Sequence, residues 1–132
     1  MRVSYPFIPK STSHLRRGQY WSVPLSNHKY ACGVVLHLLR KNDGKIDGRL
    51  FHAGLLDWVG ELPPTVNDIE NCHVLKSNAA HIKSIKETGG AILGEHTLAE
   101  TEPEIIDFTD DIDVWGYRFI AILGDKYLGA GS

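Results

Sequence analysis

Residues 30–40, Tyr-Ala-Cys-Gly-Val-Val-Leu-His-Leu-Leu-Arg, constrain the fold more than any other stretch of the chain. In an extended conformation Cys32, Val34, Leu36 and Leu38 point to one side, and Ala31, Gly33, Val35 and Leu39 to the other. A strand that is apolar on both faces needs cover on both, so it belongs at the centre of a sheet. Its neighbours on each side read as its partners. Before it, Tyr20, Trp21 and Val23 suit a pleated surface, and Ser26, Asn27, His28 and Lys29 carry turn chemistry. Alternation places Trp21, Val23 and Leu25 on the buried face of this first strand, with Tyr20, Ser22 and Pro24 opposite. Pro24, which has no amide donor, ends the strand or puts it at an edge. Gly33 marks either a bulge or the close approach of another group. After the central strand, Asn42, Asp43 and Gly44 supply the positive backbone angles of a tight hairpin, so residues 48–58 should return antiparallel.

The remaining elements are shorter. Pro6 and Pro9 make residues 1–13 an irregular arm that Tyr5, Phe7 and Ile8 can pin to the core. Gly60, Pro63 and Pro64 open a loop over 60–71, in which Thr65 and Asp68 can start a single helical turn. A brief strand is expected at 72–75. The best helix signal is 79–88, with Asn78 as N-cap, Ala79, Ile82 and Ile85 on one side, and Gly89 as the left-handed terminator. Residues 91–93 read as a short strand and 114–123 as a longer one, in which Tyr117, Phe119, Ala121 and Leu123 alternate with Arg118, Ile120 and Ile122. Residues 129–132 read as disordered. The pattern predicts an α+β fold, mainly antiparallel β-sheet with one definite helix packed on it. Residues 1–132 should form a single domain with an irregular N-terminal arm and a flexible C-terminal end.

Composition narrows the class. Hydrophobic residues at 42% and charged residues at 23% are ordinary for one globular domain with a sizeable core. No charged leader precedes an apolar run near Met1, and no apolar stretch approaches the roughly 20 residues that cross a bilayer, which predicts a cytoplasmic chain with no membrane partner. Cys32 and Cys72 are too few for a disulfide scaffold and are expected to stay reduced. The seven histidines show none of the close pairings with which one turn aims two ligands at a metal, so neither a metal nor another cofactor is expected. Nucleophile elbows, zinc-protease helices and phosphate loops are missing, so the expectation is a non-enzymatic protein with no catalytic residues. An enzyme assembled from distant His, Cys and Asp residues is one alternative.

Charge is distributed unevenly. Between residues 1 and 49 nine basic residues face only Asp43 and Asp47, whereas between Glu95 and Asp113 eight acidic residues occur without a lysine or arginine. Residues 17–25, Arg-Gly-Gln-Tyr-Trp-Ser-Val-Pro-Leu, followed by Tyr30-Ala31-Cys32-Gly33-Val34-Val35, resemble the opening pattern of the immunity protein 26 family of bacterial polymorphic toxin systems. The resemblance implies an immunity protein that binds and neutralises a cognate protein toxin. The matched glycines and proline look structural, so contact residues must come from charge. A toxin that attacks nucleic acid carries a basic cleft, which a negative surface can block and steer towards. Glu100, Glu102, Glu104, Asp107, Asp110 and Asp111 are therefore the expected toxin-binding residues, although the same run also fits a solvated loop. The chief alternative function is a small nucleic-acid-binding module in the basic and aromatic N-terminal half, using Arg16, Arg17, Tyr20 and Lys41.

Overall fold

The computed structural model describes residues 4–96, 103–107 and 113–129. Its elements in chain order are a 3-10 turn (Thr12–His14), β1 (Gln19–Pro24), β2 (Tyr30–Arg40), β3 (Ile46–Gly60), α1 (Val66–Ile69), β4 (Val74–His81), α2 (Lys83–Glu87), β5 (Gly94–Glu95), β6 (Ile105–Asp107), β7 (Val114–Trp115) and α3 (Phe119–Gly124), which runs on into a π turn (Asp125–Gly129). The strands form one sheet in the order β5-β1-β2-β3-β4-β7, with β6 also paired to β2. All pairs along β5-β1-β2-β3-β4 are antiparallel, while β6 and β7 are parallel additions. The fold is the expected α+β class, dominated by antiparallel sheet. No helix among the described residues is long and apolar enough to cross a membrane.

The doubly apolar strand lies at the centre, between β1 and β3. Its two faces meet two cores. On one, Trp21, Val23, Ala31, Val35, Phe51, Ala53 and Leu55 pack against Ile82, Ile85, Ile92 and Ile120. On the other, Tyr20, Cys32, Val34, Leu36 and Leu56 pack beneath Ile69 of α1, with Trp58, Cys72 and Leu93 at the margin. Both faces of β1 are thus buried, so its Tyr20 face is as much core as its Trp21 face. Gly33 lies directly across from Trp21, and a Cβ there would collide with the indole ring. The register also shifts between Ala31 and Gly33, so the glycine serves both of its expected roles. A second shift, between Val35 and His37, inserts one extra residue on β2 and reverses the alternation. Leu38 therefore sits opposite Phe51 and packs with the Trp21 core, on the other face from Leu36.

The hairpin forms as expected. Gly44 has φ +84°, and the Lys41 amide donates to the Lys45 carbonyl at 2.8 Å. At the β1–β2 turn the left-handed residue is His28, with φ +68°. The arm is pinned by Phe7, whose amide and carbonyl both bond Ile92. The Asp68 carboxylate accepts the Thr65 amide at 2.9 Å and so starts α1 inside the 60–71 loop.

Three elements differ from expectation: the short strand read at 91–93 lies instead at Gly94–Glu95, with Ile92 bridged only to Phe7, and two others change type. Residues 79–81, read as the start of a helix, are the end of β4, with Ala79 opposite His52 and Ala80 opposite Phe51. The long unpaired edge of β3 captures them, because its ladder bonds and burial outweigh the weak helical preference of a short segment. Only Lys83–Glu87 is helical, Asn78 lies inside the strand, and the left-handed residue that ends the helix is Gly90, whose amide reaches the Ile85 carbonyl at 2.7 Å. Gly89 has a separate role, since a Cβ there would strike the Ser22 carbonyl. The other difference is 114–123, where only Val114–Trp115 is strand and Phe119–Gly124 is helix. A continuous apolar run carries no period that separates the two. Ile120 buries against the Trp21 core, Gly124 lies where a Cβ would strike Leu25, and Asp125 Oδ1 accepts the Ser26 amide at 2.9 Å. Gly129, expected to be disordered, belongs to the π turn, while residues 130–132 lie outside the described residues.

Replacing Gly33 with alanine should destabilise the fold by about 1–3 kcal/mol through overpacking against Trp21. Gly48→Ala, which meets nothing within 4 Å, should change stability by less than about 0.5 kcal/mol. Urea unfolding of the two variants beside the parent measures both.

Candidate binding surface at the acidic strand

β1 covers β2 only as far as Val34, leaving the far end of the same β2 edge for another strand. β6 takes that place, with Ile105 beside Leu38, Ile106 beside Leu39 and Asp107 beside Arg40. The Leu38 amide donates to the Glu104 carbonyl at 2.8 Å, and Arg40 Nε donates to Asp107 Oδ1 at 2.8 Å. Beneath the strand, His37 and His52 stack with ring centroids 5.2 Å apart and an interplanar angle of 12°. His37 Nδ1 lies 2.6 Å from the Pro103 carbonyl oxygen, so that nitrogen carries the proton and donates. Three neighbouring β2 residues thus hold the acidic strand in place.

Of the six acidic residues selected from sequence, Asp107 lies on this strand and Glu104 immediately before it, both exposed. Asp107 is paired with Arg40, and Glu104 makes no ion pair among the described residues. Glu100, Glu102, Asp110 and Asp111 lie outside the described residues. Among the described residues no further strand pairs with β6, which leaves an acidic edge. Such an edge can serve a cationic partner, and acidic side chains on it also discourage adventitious strand pairing. The histidine pair and the Arg40 contact were not singled out from the sequence. The one available signal was His37, a polar residue inside an apolar strand.

The residues of the alternative readings are placed differently. Tyr20, chosen for base stacking, is 5% exposed in the Ile69 core, and Trp21 is fully buried. Arg17 Nη1 donates to the Leu36 carbonyl at 2.6 Å, the Arg16 amide donates to Gln19 Oε1, and Lys41 lies 3.9 Å from Asp43 at the hairpin tip. These groups do not line a shared aromatic groove. Both cysteines are free. Burial pushes the Cys32 thiol well above its ordinary value, and burial, then Asp57 and Asp68, raise that of Cys72. Their thiols point to the carbonyls of Gly33 and Asp68, so neither is activated as a nucleophile. Among the described residues no three His, Cys, Asp or Glu side chains are grouped to hold a metal ion.

His96 stands apart. It is 7% exposed, lies edge-on to Tyr20 with centroids 6.5 Å apart, and neither ring nitrogen has a hydrogen-bond partner among the described residues. Burial holds its pKa below the ordinary imidazole value, with Glu70 pulling weakly the other way. A charged imidazole there would lose its solvation without compensation.

Two outcomes are expected. The unfolded chain takes up a proton at His96 before the folded one does, so stability complete above the ordinary imidazole pKa of about 6.5 should be lost progressively as the pH falls below it. In His96→Gln the thermal midpoint should depend less steeply on pH across that window, whatever its absolute value. Arg40→Ala should cost less than about 1 kcal/mol because the pair is solvated, yet should speed hydrogen exchange at the Leu38 amide. Exchange in the middle of β2 should not change.

Compared with protein-family models, curated proteins and solved structures, the chain gives no significant match.

Proposed function

We propose that this chain is a non-enzymatic immunity protein that binds and neutralises a cognate bacterial toxin in the cytoplasm, with the acidic strand and its flanks as part of the contact surface. The observation that carries the reading is the exposed β6 edge, where Asp107 on the strand and Glu104 just before it are exposed and the segment is clamped by Leu38 and Arg40. A negative surface on a sheet edge suits the basic cleft of a nucleic-acid-degrading toxin, because it blocks the cleft and speeds encounter. The resemblance of residues 17–35 to the immunity protein 26 family supports the same assignment. Glu100, Glu102, Asp110 and Asp111 flank the strand in sequence and complete the acidic run.

Co-expression with the toxin-like domain encoded beside the gene tests the function directly. Host survival together with a stoichiometric complex is expected. Glu104→Lys combined with charge reversal at Glu100, Glu102, Asp110 and Asp111 should slow association by about tenfold or more at low salt and flatten its salt dependence. A stopped-flow association rate that does not change would remove the acidic strand from the interface, and failure to rescue or to form a complex would remove the immunity reading itself.

A further inference from the structure

The end of the sheet near the hairpin carries a second charged feature, on the opposite flank from β6. The register of β3 with β4 sets Leu50 against His81, and the Ile82 amide donates to the Arg49 carbonyl at 2.8 Å, so Arg49 borders the end of β4. β7 runs parallel to β4 with Val114 beside Ala79 and Trp115 beside Ala80. The chain that leaves β7 therefore delivers Tyr117 to His81, where the two rings lie 5.3 Å apart at 54°. α2 follows at once and adds Lys83, whose Nζ sits 5.4 Å from the centre of the Tyr117 ring, and then Lys86. His81 Nδ1 accepts the Lys83 amide at 3.0 Å, which fixes the imidazole at the first turn of α2.

These groups sense each other electrostatically. Burial first, then Lys83 and Arg49 and more weakly Lys86, hold the His81 pKa below its ordinary value, while Asp47 opposes them. Asp47 Oδ1 is occupied by the amides of Arg49 and Leu50, at 2.8 and 2.9 Å. Arg49, Lys83 and Lys86 are exposed and form no ion pair among the described residues, and Glu87, one turn beyond Lys83, forms none either. Tyr117 is 44% exposed. Three exposed cations thus gather about His81, and one of them, Lys83, reaches the half-exposed Tyr117 ring that packs on it.

We propose that Tyr117 and the cations Arg49, Lys83 and Lys86 form a binding site for single-stranded nucleic acid, with a base on the Tyr117 ring and the backbone phosphates on the cations. Charge alone would also suit an acidic peptide. The exposed ring favours the nucleic acid, because each base offers a face to stack while a glutamate side chain offers none. Lys83 reaches over the ring on a flexible stem and can swing outward to a phosphate as the base arrives. The site is independent of the acidic strand, so either surface can fail without the other.

The test uses the full chain, with a fluorescein-labelled oligothymidylate of about 12 nucleotides and an oligoglutamate peptide of matched charge, read by anisotropy. The oligonucleotide should bind at low salt, with affinity falling on a double-logarithmic plot at a slope of about −2, as three phosphate contacts imply. Lys83→Glu with Lys86→Glu should abolish binding. Tyr117→Leu should weaken it by about five- to hundredfold with an unchanged salt slope, and Tyr117→Trp should restore it. Circular dichroism of each variant checks that the fold is intact. The proposal is overturned if the oligonucleotide does not bind, if oligoglutamate binds as tightly, or if Tyr117→Leu binds like the parent.

Discussion

The contact between Trp21 and Gly33 is the one on which the rest of the structure depends. The indole lies over a glycine on the central strand, fills the volume a side chain would occupy, and donates Nε1 to Thr88 Oγ1 at 3.0 Å. Thr88 Oγ1 in turn donates to the Ser84 carbonyl at 2.6 Å, so one buried ring joins β1, β2 and the end of α2. Phe51 meets the same ring edge-on at 6.0 Å and brings β3 into the contact. An aromatic ring contributes most when its polar edge is satisfied and its faces are fully packed, and both conditions are met here.

With β2 held in this way, its length decides where charge appears. β1 begins at Gln19 and pairs no further along β2 than Val34, so the last residues of β2 need another partner along that edge, and an acidic strand supplies it. On the opposite flank β4 ends at His81, β7 is only two residues long, and the chain beyond it meets the cations of α2. The acidic strand lies two strand spacings from β3, which carries Arg49, and three from β4, about 10 to 14 Å. That exceeds the Debye length of about 8 Å at physiological salt, so the two surfaces address their partners separately even though they share one end of the sheet.

Much of the sheet could be read from residue types. The apolar pattern of residues 30–40 placed that strand at the centre, Asp43-Gly44 placed the hairpin, and Thr65 with Asp68 placed the helical turn within a loop. The helices were less legible. Ala79 and Ala80 suit strand or helix equally, and the run from Phe119 to Leu123 has no period to separate them, so the competition was settled by which edge or face lay open. For the proposed surfaces, the acidic run was visible as composition. The basic site was not, because Arg49, the pair His81 and Lys83, and Tyr117 come from three stretches distant in sequence.

What the sequence by itself determined was therefore local. Turn residues, a doubly apolar strand and glycine positions limit backbone geometry through sterics and burial, and these act over a few residues whatever surrounds them. Only the tertiary structure decided the phase change at the β2 bulge, the capture of residues 79–81 by β3, the burial of Tyr20 and the meeting of Tyr117 with His81. Each depends on which strand edge remains free once the others have paired, a property of the assembled sheet that no short segment encodes.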